Sequence, residues 1–253
     1  MRLTMKRQAA LCIALALAAC TPAAGPGAAP QGATSATGTN AAITDQRRPA
    51  EDRDDDANRL PAELLAFTQV APGERVGDFI MGGGYITRLL AVAVGEQGRV
   101  YAFQPGGGGE GQQALAAQYD NVELVGGTVP EPAFPQGLDM IITAQNLHDL
   151  YTERNPPGTA QQALASLHRA LKPGGRLVVI DHAALENSET SVVGTLHRIE
   201  RTAALEALEA AGFTLADESE LYARPTDPGN VPVFDPAVRG RTNQFALLMK
   251  KAG

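Results

Sequence analysis

The sequence of 253 residues has no tryptophan and only 5% aromatic residues. Its 44% hydrophobic content is ordinary for a globular protein, so a sizeable core is expected, built of leucine, valine, isoleucine and alanine. Positive charge is scarce too. Lysine and arginine number 21 against 28 acidic residues, a formal charge of −7 that falls to −10 once Arg2, Lys6 and Arg7 are set aside. A surface of that sign repels polynucleotides and anionic lipid at long range, so no nucleic-acid partner is expected. No internal repeat is visible. No serine sits in a nucleophile elbow either, which argues against hydrolase chemistry of that kind.

Cysteine occurs twice, at Cys12 and Cys20. Residues 1–8 are basic, and residues 9–19 form an uncharged apolar run too short to cross a bilayer as a helix, the layout of a secretory signal. The run ends in Leu17-Ala18-Ala19-Cys20, which resembles a bacterial lipobox. The resemblance implies cleavage before Cys20, acylation of that residue, and a protein exported to the periplasmic side and anchored to a membrane by lipid. Cys12 would leave with the signal, so no intramolecular disulfide is expected. Residues 20–59 read as a disordered tether. The first part is Ala, Gly, Pro, Ser and Thr without apolar periodicity, and Glu51-Asp52-Arg53-Asp54-Asp55-Asp56 reads as a solvated approach to the domain.

From Leu60 to the end, strand-like and helix-like patterns alternate, the order of an α/β domain with a parallel sheet. Helices are expected over 61–67, 85–94, 159–171 and 201–211. Strands are expected over 75–81, 99–104, 122–125, 138–144, 176–181, 214–221 and 244–250. Met140-Ile141-Ile142 and Leu177-Val178-Val179-Ile180 lack polar alternation, as strands buried on both faces do.

Three stretches carry a family resemblance: Val76-Gly77-Asp78-Phe79-Ile80-Met81-Gly82-Gly83-Gly84-Tyr85, Leu171-Lys172-Pro173-Gly174-Gly175-Arg176-Leu177-Val178-Val179, and residues 205–213 (LEALEAAGF). In that order and context they resemble class I S-adenosylmethionine-dependent methyltransferases. The resemblance implies a Rossmann-like, seven-stranded, mostly parallel sheet with an antiparallel last strand and helices on both faces. It implies S-adenosylmethionine as cofactor and a small-molecule acceptor. Asp78, Gly82 and Gly84 fall on the cofactor loop, Gln104 at the end of strand two where the ribose is held, and Thr128 after strand three near the adenine. Three positions depart from the pattern. Ile80 stands at the first loop glycine, and Gln104 and Thr128 stand where acids are common. These departures support a rival reading, an exported binding protein that keeps the fold without the chemistry.

Ligands of open parallel sheets lie beyond the carboxyl ends of the strands. Strand four ends in Gln145-Asn146-Leu147-His148-Asp149-Leu150-Tyr151. There a neutral His148 imidazole can take a proton from an acceptor, with Asn146 or Asp149 orienting the ring or the acceptor. The structural alternative is that His148 only caps the turn. His182 should lie beside this group, Arg198 reads either as holding an anionic acceptor or, preferred here, as a surface residue paired with Glu200, and His168 should face solvent. His148, His182 and His197 could converge as metal ligands, but no short ligand spacing joins them, so no metal is expected. Residues 222–243, with four prolines, read either as a lid or as a stiffened flap.

Overall fold

The structure, a computed structural model, describes residues 36–253; the signal-like segment, Cys20 and residues up to 35 lie outside them. The chain begins with three short helices, α1 (Ala36–Thr44), α2 (Ala50–Arg59) and α3 (Pro61–Thr68), the last with proline in its first turn. Alternation follows: β1 (Arg75–Phe79), α4 (Tyr85–Val94), β2 (Arg99–Phe103), α5 (Glu110–Ala116), β3 (Val122–Val125) and β4 (Leu138–Ala144). Then come α6 (Thr159–Ala170), β5 (Leu171–His182), the one-turn α7 (Val193–Leu196), α8 (Arg201–Ala210), β6 (Phe213–Ser219) and β7 (Gln244–Lys251). The strands make one seven-stranded sheet in the order β3-β2-β1-β4-β5-β7-β6, with β7 antiparallel to both neighbours. This is the Rossmann-like methyltransferase architecture that the resemblance implied.

Period-2 geometry explains the continuous apolar runs. Val178 and Ile180 of β5, with Ala246 and Leu248 of β7, join the core under α3 and α4, while Leu177, Val179, Leu247 and Met249 join the core under α6 and α8. All eight are buried, and each such side chain contributes about 1.5–3 kcal/mol from loss of apolar surface to water. In β4 a register shift between Leu138 and Met140 breaks the simple alternation. Helix α8 starts at Glu200, whose carboxylate accepts from the Ala203 N–H at 2.8 Å, and the chain leaves it through Gly212 at φ 95°.

Residues 36–59 correct the expected tether: they are helical and packed against the domain. Glu51, Arg53, Asp54 and Asp55 of the acidic run are exposed as expected, but Asp52 is buried and Asp56 half-buried. Arg88 of α4 holds Asp52 through two hydrogen bonds of 2.7 Å, and the fully buried Arg48 takes Asp56, which also accepts from the Tyr85 hydroxyl at 2.7 Å. Carboxylates can be buried there because each meets a guanidinium, and removing one partner of such a pair typically costs about 3–5 kcal/mol. His168 is likewise half-buried, its ring edge-on to Phe213 with centroids 5.0 Å apart, rather than solvent-facing. The sequence reading also missed α5.

Candidate functional site

The turn leaving β1 departs from ordinary backbone at three residues: Ile80 (φ 64°), Gly82 (φ 55°) and Gly84 (φ 80°). A left-handed conformation suits glycine and strains a β-branched residue. Ile80 therefore adopts at some cost, of order 1–3 kcal/mol, the backbone a glycine would take freely. Gln145 at the end of β4 is also left-handed (φ 62°), so the two central strands both end in strained residues that border the same cleft. Gly84 packs under α5, where a Cβ would lie 2.0 Å from Leu115 Cδ1. The side chains of Gln104 and Gln112 brace the loop: Gln104 Oε1 accepts from the Gly82 N–H at 3.2 Å, and Gln112 Nε2 donates to the Gly82 carbonyl at 3.0 Å.

Beyond β1 and β4 opens a cleft of ≈ 870 Å³. The glycine loop contributes Gly82 and Gly83 to it, β1 contributes Asp78, and the turn after β4 contributes Asn146. Helix α2 supplies an acidic wall of Glu51, Asp52 and Asp55 with Arg59 beside them. Asn146 Nδ2 donates to the Ala144 carbonyl at 2.7 Å and the Ile80 carbonyl at 3.3 Å, which ties the two strand ends together. Burial pushes the Asp78 carboxyl up to about 6, against the hydrogen bond it receives from Thr87 Oγ1 at 2.5 Å. Gln104 and Thr128 line neither this cleft nor its neighbour. Thr128 instead closes a turn, accepting from the Glu131 N–H at 3.3 Å.

His148 and Asp149 face a second cleft of ≈ 840 Å³, which shares Gln145, His182, Val233 and Phe234 with the first. The expected acceptor group is thus divided: Asn146 lies with the glycine loop, and His148 and Asp149 lie on the other side of a shared wall. Asp181, fully buried at the end of β5, organises the second side. Its carboxylate accepts from the backbone N–H groups of His148 and His182 and from His148 Nδ1, all at 2.7 Å. With Nδ1–H so held, a neutral His148 presents Nε2 as its acceptor. Burial lowers the His148 pKa, but the Asp181 charge and hydrogen bond, with Asp149, outweigh it and leave the imidazole above its ordinary value. His182 differs. Burial dominates there, pulling the ring down to about 4, so it stays neutral at pH 7 and contacts Thr242 Oγ1 at 2.7 Å.

Asp181 went unassigned in the sequence, although a signal existed. Ala144 pairs with Ile180 across the parallel ladder, so the next residue of each strand must also be adjacent. Arg198 is a correction. It is fully buried, and instead of meeting Glu200 at the surface it pairs with Asp227 at 2.7 and 3.0 Å. It also donates to the Val231 carbonyl at 2.9 Å and the Ala183 carbonyl at 3.0 Å. This anchor holds the 222–243 connection against the site, where Val233, Phe234 and Arg239 border the first cleft. The exposed Phe234 ring meets His197 edge-on, with centroids 4.9 Å apart.

No family model matches the chain. It is similar to an uncharacterized methyltransferase of Synechocystis sp., 28% identical over 135 residues, covering 49% of this chain and 53% of that one. It is also similar to a demethylmenaquinone methyltransferase of Bacillus mycoides, 31% identical over 136 residues, covering 52% of each. The chain thus spans about half the length of the curated relatives it matches. Among solved structures, a SAM-dependent methyltransferase from Aquifex aeolicus superposes with a TM-score of 0.55 at 21% identity, covering 81% of this chain and 99% of that one. That likeness concerns the fold.

Proposed function

We propose that this chain is an S-adenosylmethionine-dependent methyltransferase acting on a small-molecule acceptor. One observation carries the reading: the cleft beyond β1 and β4 combines an open glycine backbone with an acidic wall, a lining suited to a ligand bearing sulfonium and ammonium charges. Gly83 fits this role best. An added Cβ there would meet nothing within 4 Å, so its space belongs to the cleft. Gly82 and Gly83 let the ligand approach the backbone, Asp78 and the α2 carboxylates face its cationic part, and Gln104 and Gln112 hold the loop in shape. When bound, the cofactor supplies an electrophilic methyl group. An acceptor that reaches past the boundary of Gln145, His182, Val233 and Phe234 shared by the two clefts meets His148, which, with Nδ1–H fixed by Asp181, takes its proton on Nε2. The first acceptor to try is a demethylated quinone, the substrate class in the name of the Bacillus relative.

Calorimetric titration of the full chain with S-adenosylmethionine and S-adenosylhomocysteine tests this. Micromolar binding, about −8 kcal/mol, is expected. Gly83→Val should weaken it by about 100-fold, or about 2.8 kcal/mol, without backbone strain, because Gly83 is not left-handed. Gly82→Val is the poorer probe, since φ 55° strains valine whether or not a ligand binds. Equal affinity for Gly83→Val and wild type would remove the cofactor from this cleft. The second reading, a binding protein without methyl transfer, is favoured by one feature: both backbone polar groups of Gly82 are already occupied by glutamines. No binding of either ligand would select it.

The lipobox-like Leu17-Ala18-Ala19-Cys20 supports export and lipid anchoring at Cys20 as part of the same proposal. Expressed in a bacterial host with a palmitate analogue, wild type should be labelled and Cys20→Ser should not. Equal labelling would remove the anchor.

A further inference from the structure

In the second cleft, His148 Nε2 lies 3.6 Å from Asp149 Oδ1, and His197 Nδ1 lies 3.7 Å from the same oxygen. One ligand atom from each of the three residues falls within 4.8 Å of the others. These separations are too long for hydrogen bonds. They are close to the roughly 3.3–3.5 Å between ligand atoms that each sit about 2.0–2.2 Å from a tetrahedral ion. The oxygen at the centre of the group is also anomalous, for Asp149 Oδ1 is buried and has no hydrogen-bond partner. A buried polar atom without a partner carries a desolvation penalty that needs an explanation. Its other charged neighbour is Arg154, 3.8 Å away on a side chain 77% exposed and free to swing into solvent.

Two further features fit a ligand at this point. His148 is already oriented through Nδ1 by the buried Asp181, the carboxylate–histidine arrangement that steadies metal-binding imidazoles and makes them more basic. His197 is the left-handed cap that ends α7 (φ 53°), and its ring borders the second cleft edge-on to His148, with centroids 5.5 Å apart.

We infer that His148 Nε2, His197 Nδ1 and the Asp149 carboxylate bind a divalent transition-metal ion of the zinc class, with Asp181 as the outer partner and a coordination position open to the second cleft. Two imidazoles and one carboxylate suit zinc, whereas calcium and magnesium prefer all-oxygen sites. The three residues come from the turn after β4 and the turn after α7, so no short spacing joins them in the sequence. The inference does not rest on the methyl-donor site, which occupies the other cleft. Ion binding and proton acceptance at Nε2 exclude each other, so the general-base role proposed for His148 belongs to the ion-free chain.

The full chain, made without a histidine tag and stripped with a chelator, would be titrated calorimetrically with Zn²⁺ and followed by visible absorption with Co²⁺. One ion per chain and cobalt bands of a low-coordinate N/O site are expected. His197→Gln and Asp149→Asn should each weaken binding by more than the roughly 10–100-fold typical of losing an outer partner. His168→Gln, on α6 outside both clefts, should bind as wild type does. The inference is overturned by a wild type that takes up no stoichiometric ion, or by either ligand variant, folded by circular dichroism, binding with unchanged affinity. S-adenosylmethionine titration of the same samples reports separately on the first cleft, so either site can fail alone.

Discussion

Arg198→Met should destabilise the protein by about 3–5 kcal/mol, the usual cost of removing one partner from a buried ion pair. Both side chains of the Arg198–Asp227 pair are fully buried. Removing the guanidinium strands a carboxylate that keeps only the backbone N–H groups of Gly229 and Asn243, and frees the Val231 and Ala183 carbonyls. Burial alone would raise the Asp227 pKa; the Arg198 and backbone hydrogen bonds hold it below the ordinary carboxylate range instead. Urea denaturation gives the number, and thermal melting should fall by roughly 2–4 °C per kcal/mol for a chain of this size. Arg198→Met combined with Asp227→Asn should recover part of the loss, because no buried charge is left and the amide oxygen still accepts from one of the two N–H groups. A single-variant loss under about 1 kcal/mol would mean that water reaches the pair, and with it that the 222–243 connection is not anchored there.

In the ion-free chain, His148→Ala should lower the rate of methyl transfer by about 10²–10⁴-fold, the span typical of a positioned general base. That is about 2.7–5.5 kcal/mol of transition-state stabilisation. Affinity for S-adenosylmethionine should stay close to wild type, because His148 lines only the second cleft. Asp181→Asn should follow in the same direction. An amide in its place can donate to Nδ1, which favours the tautomer whose proton sits on Nε2, the wrong atom for accepting one. Formation of S-adenosylhomocysteine in the presence of acceptor gives the rate, and calorimetry gives the affinity. Unchanged turnover in His148→Ala would take the imidazole out of the mechanism. A matching loss of cofactor affinity would place it in the wrong cleft.

The limits of the sequence reading are clearest in residues 45–59. Glu51 to Asp56 has the composition of a solvated segment, and nothing nearby in the chain announces that Arg88 will meet Asp52 from α4. Partners 36 residues apart leave no local trace. The same holds for Arg198, whose neighbour Glu200 was the natural local partner and whose actual partner is 29 residues away. Helix α5 was missed for another reason. Its segment, Glu110–Ala116, is short and glycine-flanked, with a single buried side chain, Leu115, so it has little amphipathic signal.

By itself the sequence determined the order of the seven strands and of α4, α6 and α8 among them, because burial on both faces of a parallel sheet leaves continuous apolar runs that local pattern reveals. It also placed glycines at the turn after β1 and a polar group after β4, because strand ends in such a sheet are where ligands gather. Tertiary structure alone decided which polar residues share a cavity. It put Asn146 with the glycine loop and His148 with Asp181, gathered His148 and His197 around one buried oxygen of Asp149, and paired Asp52 and Asp56 of the acidic run with Arg88 and Arg48. The physical reason is one of range: backbone periodicity is written in neighbours a few residues apart, whereas the pairing of charges and the walls of a cleft depend on residues that only folding brings together.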